Sequence, residues 1–185
     1  GGRPGGPTAR VPAMFMHRSQ ANSTVKEAKG QGDLVMAQGL FREYAASLPQ
    51  SAQISLRHQG FEAEMAGLPG RYARPTGCIL LGFRGVEGLG VVALREITRM
   101  AGDPGRVCEM KRMYVSPRAR RLGLGRMLAE RLIEEARAMG YSMMKLDTEP
   151  DFAPAIALYQ SLGFVEIPRY NDDPVSCTLF MGRAL

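Results

Sequence analysis

The sequence contains no tryptophan, two histidines and three cysteines among 185 residues, and each scarcity removes a class of function. Cys78, Cys108 and Cys177 are widely spaced, odd in number and form no Cys-x-x-Cys pair. With only His17 and His58 to join them, neither a structural zinc site nor a disulfide framework is expected, so no metal is assigned. No histidine neighbours a cysteine to activate it as a nucleophile, and the cysteines read as small buried apolar residues. No run approaches the roughly 18 apolar residues of a membrane span. The apolar stretch Val11–Met16 is too short for a secretory signal and lacks a cleavage site. The default expectation is therefore a cytoplasmic protein with no membrane partner.

What is present is ordinary for a globular protein: 45% hydrophobic and 23% charged residues, enough chain for one domain. The net charge of +6 points to an anionic partner. Residues 1–22 are rich in Gly, Pro and polar side chains without an apolar period and read as a flexible leader, from a processed or appended start. Met14 and Met16 are candidates for a natural first residue. Residues 23–185 form the expected domain. A strand is expected over Thr24–Ala28. A helix should follow over Leu34–Ser47 with Asp33 as N-cap and Pro49 as its stop. A second, shorter helix should carry Phe61, Met65 and Leu68. Two strands, Gly77–Arg84 and Gly88–Thr98, flank a hairpin turn, and a longer strand covers Val107–Val115. Strand, turn, long helix, strand, helix and strand complete the order. An antiparallel beginning that passes into strand–helix–strand units predicts one mixed α/β (α+β) domain, its mostly antiparallel sheet flanked by helices.

The densest local signal runs from Met113 to Arg126. A strand ends near Pro117, a basic turn follows, and a helix opens at about Gly125. The helix carries Leu128, Leu132, Ala136 and Met139 on one face and Arg126, Glu130, Glu134 and Arg137 on the other, and Gly140 is its natural C′ residue. Gly123 and Gly125 let a ligand approach the backbone. The first helical N–H groups lack internal partners, and the helix dipole favours an anion. Such a turn is a phosphate cradle. It is also readable as a plain strand–helix connection with solvated arginines. A nicotinamide fingerprint would need glycine where Leu128 stands, and Glu109-Met110-Lys111-Arg112 does not suit a buried parallel strand. A nucleotide P-loop would need Gly-Lys-Ser/Thr, which is missing. The glycines of Gly85-x-x-Gly88-x-Gly90 lead into a strand and mark only a turn.

Arg120-x-x-Gly123-x-Gly125 resembles the acetyl-CoA signature of the GNAT superfamily, the Gcn5-related N-acetyltransferases. Ala155-Ile156-Ala157-Leu158-Tyr159-x-x-Leu162-Gly163-Phe164 is similar to the same family's later helix. The element order past the leader agrees with both. The resemblance implies a GNAT-like fold with a central strand–turn–helix cofactor site, acetyl-CoA as co-substrate and an amine acceptor. It further implies that Arg120, Arg121, Leu122, Gly123, Leu124, Gly125 and Arg126 hold the pyrophosphate, and that Met113, Tyr114 and Val115 pair with the pantetheine arm. Arg121 departs from the glycine commonest in the family, and the extra cation should favour phosphate. Concentrating arginines at this turn also explains much of the basic charge without nucleic acid, for which no aromatic-interleaved patch exists.

Attack on a thioester requires a free amine. Deprotonating a lysine-like amine at pH 7 costs roughly 4–5 kcal/mol, so a carboxylate is needed as base. Glu109 matches by resemblance, six residues before Val115, and an even offset on a regular strand places both side chains on one face. Asp147 and Glu149 are alternatives, and a solvated strand face is the plain reading of Glu109. Tyr159 corresponds to the family's general acid, with a core tyrosine as its plain reading. A backbone N–H near Tyr114 is the expected donor to a developing oxyanion. The expected function is N-acetyl transfer to a primary amine; a non-catalytic CoA-binding module is the alternative, and a homodimer is left open. The acceptor should meet the first helices and the Arg169–Pro174 loop.

Overall fold

The computed structural model describes residues 22–175 and 178–185. The expected leader, except Asn22, and Cys177 therefore lie outside the described residues. Seven strands form one sheet in the order β1-β2-β3-β4-β5-β7-β6: β1 Ser23–Glu27, β2 Cys78–Arg84, β3 Glu87–Ile97, β4 Val107–Val115, β5 Met143–Thr148, β6 Val165–Glu166 and β7 Leu179–Ala184. Every neighbouring pair is antiparallel except β4 and β5, which are parallel. The mixed α/β expectation is met, because a single strand–helix–strand crossover interrupts a run of antiparallel neighbours.

The helices are α1 Gly30–Ser47, α2 Gln50–His58, α3 Phe61–Ala66, α4 Leu124–Ala138 and α5 Ala153–Ser161. Two apolar layers result. Leu80, Val92, Leu94, Cys108 and Met110 meet Leu124, Leu128 and Leu132 of α4 on one face. Ile79, Leu81, Val91, Ala93 and Tyr114 meet Ala37, Leu40 and Phe41 of α1 on the other. Helix α4 lies close to the sheet: a Cβ at Gly82 would stand 2.8 Å from a Leu124 methyl, and one at Gly90 would stand 2.8 Å from a Leu128 methyl. Cys78 and Cys108 are buried in this layer, and burial pushes the Cys78 thiol up to about 12. They are core residues, as their isolation in sequence implied.

Three local expectations are revised. Helix α1 begins three residues before the expected Asp33 cap. Asp33 instead sits in the first turn, where its carboxylate accepts from the Lys29 N–H at 2.9 Å and from Lys26 at 2.8 Å. Pro49 does end α1, but it is also the N-cap residue of α2, a helix the sequence reading missed. Proline suits a helix start because the N–H it lacks would have no helical partner there. The third revision concerns β4. Its register to β3 slips between Ala93↔Lys111 and Val91↔Tyr114, and Arg112 takes φ 58°. This is a bulge, one extra residue on β4. Alternation therefore changes phase. Met110 and Met113 both face α4, three residues apart, whereas Tyr114 faces α1.

Candidate acetyl-CoA and acceptor site

β4 and β5 pair only at Val107↔Met143, Cys108↔Met144 and Glu109↔Lys145. Beyond that step both strands continue, β4 to Val115 and β5 to Thr148, without a further ladder pair between them. A wedge opens between the two strands, and the β4 bulge lies along it. The wedge is the neck of a cavity of about 730 Å³ lined by β4 from Met110 to Val115, the start of α4, β5 from Leu146, the Glu149–Asp151 loop, α5 and parts of α1 and α2. The main-chain groups of β4 facing the wedge are available to an extended ligand, as at a sheet edge.

At one end of the neck, β4 leads through Ser116 and a single 3₁₀ turn at Pro117–Ala119 into α4. Gly123 is the N-cap residue, with φ 79° and no side-chain cap, and the first helical turn carries no acidic residue. The left-handed backbone there favours glycine. The N–H groups of the next residues have no helical acceptor and point with the positive end of the dipole. Gly125 lies between β4 and α5, where its Cβ would stand 3.6 Å from Val115 and 3.7 Å from Leu158. A larger side chain would fill the crevice. Arg120 and Arg121 line this end, both exposed. Bare amides, an unpaired strand edge and two cations fit a diphosphate with an extended amide arm.

Of the sequence-predicted cofactor residues, Met113, Tyr114, Val115, Arg120, Arg121, Gly123, Leu124 and Gly125 line the cavity. Two do not. Leu122 is exposed on the turn's outer side, and Arg126 reaches out to Ser161 at 2.8 Å and Glu130 at 3.4 Å.

Tyr159 lies in the neck, only 6% exposed. Burial raises its phenol well above the ordinary value, helped by Tyr44 and Asp147, so it keeps its proton. Its position is fixed by the end of α5. Phe164 N–H donates to the Tyr159 carbonyl and Gly163 N–H to Gln160, each at 3.0 Å, with Gly163 at φ 84°. The Tyr159 and Phe164 rings meet edge-to-face at 5.9 Å. This is the Schellman cap expected from Leu162-Gly163-Phe164.

Glu109 stands apart from this group. The bulge puts it on the sheet face opposite Val115, so the even-offset argument fails. It is 1% exposed and paired with Arg95 at 2.7 Å, Lys111 at 3.5 Å and the Tyr170 hydroxyl at 2.8 Å. It does not line the cavity. The two other carboxylates do, and they differ. Asp147 accepts from Lys111 at 3.0 and 3.2 Å and from Asn171 at 3.0 Å. Burial pushes its carboxyl up, but Lys111 outweighs that and holds it below the ordinary range. Glu149 is shifted the opposite way, raised by burial and by the charges of Asp173, Asp147 and Asp151. The acceptor end of the cavity adds Ser55 of α2 and Gln59, the residue that caps its C-terminus, which no motif signalled, and Asp173 from the loop singled out in sequence. Among the described residues no group of three or more His, Cys, Asp or Glu is placed to hold a metal ion, and no helix is long and apolar enough to cross a membrane.

Known proteins similar to this chain are acetyltransferases. Residues 38–164 match the family described as Acetyltransferase (GNAT) family. An uncharacterized N-acetyltransferase of Schizosaccharomyces pombe is 34% identical over 163 residues, 87% of this chain and 94% of that protein. The [ribosomal protein bS18]-alanine N-acetyltransferase of Salmonella typhimurium is 50% identical over 52 residues, 28% of this chain and 35% of that protein. Among solved structures, an acetyltransferase from Streptococcus agalactiae superposes with TM-score 0.63 at 19% identity, covering 88% of this chain and 98% of that one. A putative acetyltransferase from Salmonella typhimurium, solved with acetyl-CoA, gives 0.59 at 22% identity, covering 88% and 94%. The chain belongs to the acetyltransferase (GNAT) family and is an acetyl-CoA-dependent acyltransferase.

Proposed function

We propose that the protein transfers acetyl from acetyl-CoA directly to a primary amine, with Tyr159 as general acid and Glu149 as general base. The observation that carries this reading is the common cavity. It joins the uncapped start of α4, the free edge of β4, a protonated tyrosine and a raised carboxyl.

The amides at the start of α4 and the side chains of Arg120 and Arg121 hold the diphosphate, and the edge of β4 from Met113 to Val115 orients the pantetheine arm. Acetyl-CoA supplies the activated thioester. The acceptor enters from the side of α1, α2 and the Glu149–Asp151 loop, where carboxylates favour an ammonium ion. Glu149 takes the ammonium proton. A carboxyl raised toward neutrality is the better-matched proton acceptor, whereas Asp147 is held as an anion by Lys111. An N–H of the β4 end polarises the carbonyl under attack, and the Tyr159 hydroxyl supplies a proton to the departing sulfur. The kinship with a [ribosomal protein bS18]-alanine N-acetyltransferase supports an amine acceptor, and peptide amines belong in the first panel.

Thiol release from acetyl-CoA, measured with a panel of amines, peptide N-termini and lysine peptides, tests this function. Amine-dependent release that disappears in Tyr159→Phe supports it. Acetyl-CoA binding without amine-dependent release from any acceptor would count against it.

A further inference from the structure

Arg112 combines three features that seldom coincide. It is a non-glycine residue at φ 58°, it forms the bulge on the stretch of β4 that borders the wedge, and it is only 5% exposed. The left-handed backbone costs a side-chain-bearing residue free energy that glycine would not incur, so surrounding structure must enforce it. That structure comes from the helices on the acceptor side. The guanidinium donates to both Glu64 oxygens at 3.1 and 3.0 Å and to Gln59 Oε1 at 3.0 Å. It also lies over the Phe61 ring, 5.4 Å from its centroid. Tyr72 braces Glu64 with a 2.8 Å hydrogen bond. Gln59 passes the connection on, donating to Ser55 Oγ at 3.1 Å. Arg112, Gln59 and Ser55 all line the cavity.

We propose that Arg112 is a positioning residue that ties the thioester-binding end of β4 to the acceptor wall formed by α2, so that acetyl-CoA in the wedge orders that wall. The reading rests on acetyl-CoA occupying the β4 edge. A bulge alone would be served by glycine, and a charge pair alone would not need to sit on the stretch of β4 that has parted from β5. The bidentate pair fixes the bulge and the third hydrogen bond fixes α2, so the two move together. The chain therefore has a physical connection between the cofactor strand and the acceptor side that does not pass through the substrates.

Hydrogen exchange measured with and without saturating acetyl-CoA tests it. The variant is R112G/E64Q: glycine keeps the bulge backbone, and the glutamine avoids a buried carboxylate without its cation. In the wild-type protein, acetyl-CoA should slow exchange at Met113–Val115 and at Gln50–His58, each by roughly 10-fold. In the variant, protection at Met113–Val115 should persist while that of α2 falls below about 2-fold. Gln59→Ala leaves the Arg112–Glu64 pair intact while removing the link to Ser55 and a longer 3.5 Å bond to Asp173, and should lose the same protection, which keeps the test available if the double variant does not fold. Equal protection of α2 in wild type and variants, or none in wild type despite protection of β4, would overturn the inference alone. If calorimetry of the wild-type protein gives no heat with acetyl-CoA, the cofactor reading fails and this inference falls with it.

Discussion

Lys111 reaches from β4 to grip both carboxylate oxygens of Asp147 on β5, at 3.0 and 3.2 Å, at the step where the backbone ladder between the two strands has ended. A side-chain bridge thus spans the wedge where main-chain bonds no longer can. Lys111 is 4% exposed and the Asp147 side chain 11%, so solvent screens the pair little.

Lys111→Met should leave Asp147 and Glu109 with buried, undercompensated charge and lower stability by about 3–5 kcal/mol. Urea denaturation of K111M, D147N and the double variant measures this. The double variant should recover more than half of the loss, because both charges of the bridge are gone. Strict additivity would show that the pair is not energetically coupled.

Tyr159→Phe removes a hydroxyl that the cavity reaches, while the ring keeps its contact with Phe164. Turnover should fall by about 10²-fold, with acetyl-CoA affinity within a factor of about two, since the diphosphate cradle lies elsewhere. Parallel calorimetry and steady-state rates decide. An unchanged kcat removes the general-acid role.

Glu149→Gln and Glu109→Gln should fail in different ways. Glu149 must be ionised to accept a proton, and its raised carboxyl puts the acidic limb of kcat/KM above the ordinary value of about 4.3. That limb should vanish in E149Q along with most activity. E109Q leaves Arg95 and Lys111 without their shared carboxylate, and its main effect should be a lower melting temperature. Full activity in E149Q with a lost acidic limb in E109Q would return the base to Glu109.

Acid should unfold the protein through its paired carboxyls. In Glu64, Asp103, Glu135 and Asp147, burial pushes the carboxyl up, but the partners Arg112, Lys145, Arg74 and Lys111 outweigh it and each folded value lies below the unfolded one. Their contribution is complete above the unfolded values of about 3.9 and 4.3 and is lost as pH falls through the depressed ones. Denaturation free energy measured from pH 6 to 2 should therefore drop mainly below about pH 4. A loss centred near neutrality would contradict this assignment.

The strand–turn–helix from Met113 to Ala138 and the cap at Leu162-Gly163-Phe164 were legible in the sequence because local chemistry dictates them: glycines at positive φ, an uncapped basic helix start, an apolar stripe at spacings of four, four and three. Two features were not. Helix α2 lay hidden behind Pro49, because a proline that stops one helix can open the next, and Gln50–His58 has only Ala52, Ser55 and Leu56 facing inward. The bulge at Arg112 left no local mark, since its φ is imposed by Glu64 and Gln59, 48 and 53 residues away in sequence. Face assignments along β4 therefore failed beyond Lys111, and Val115 does not share a face with Glu109 as the even offset implied.

Diphosphate binding by the amides opening α4 is the proposal on which the rest of the chemistry depends. Gly123→Val puts it to the test. It burdens a φ of 79° with a branched side chain that has no protein atom within 4 Å of its Cβ and projects into open space at the cavity Gly123 lines. Titration calorimetry should give saturable heat with acetyl-CoA for the wild-type protein and at least roughly 100-fold weaker binding for the folded variant, a loss of about 2.7 kcal/mol. Equal affinity in the two proteins would contradict the claim.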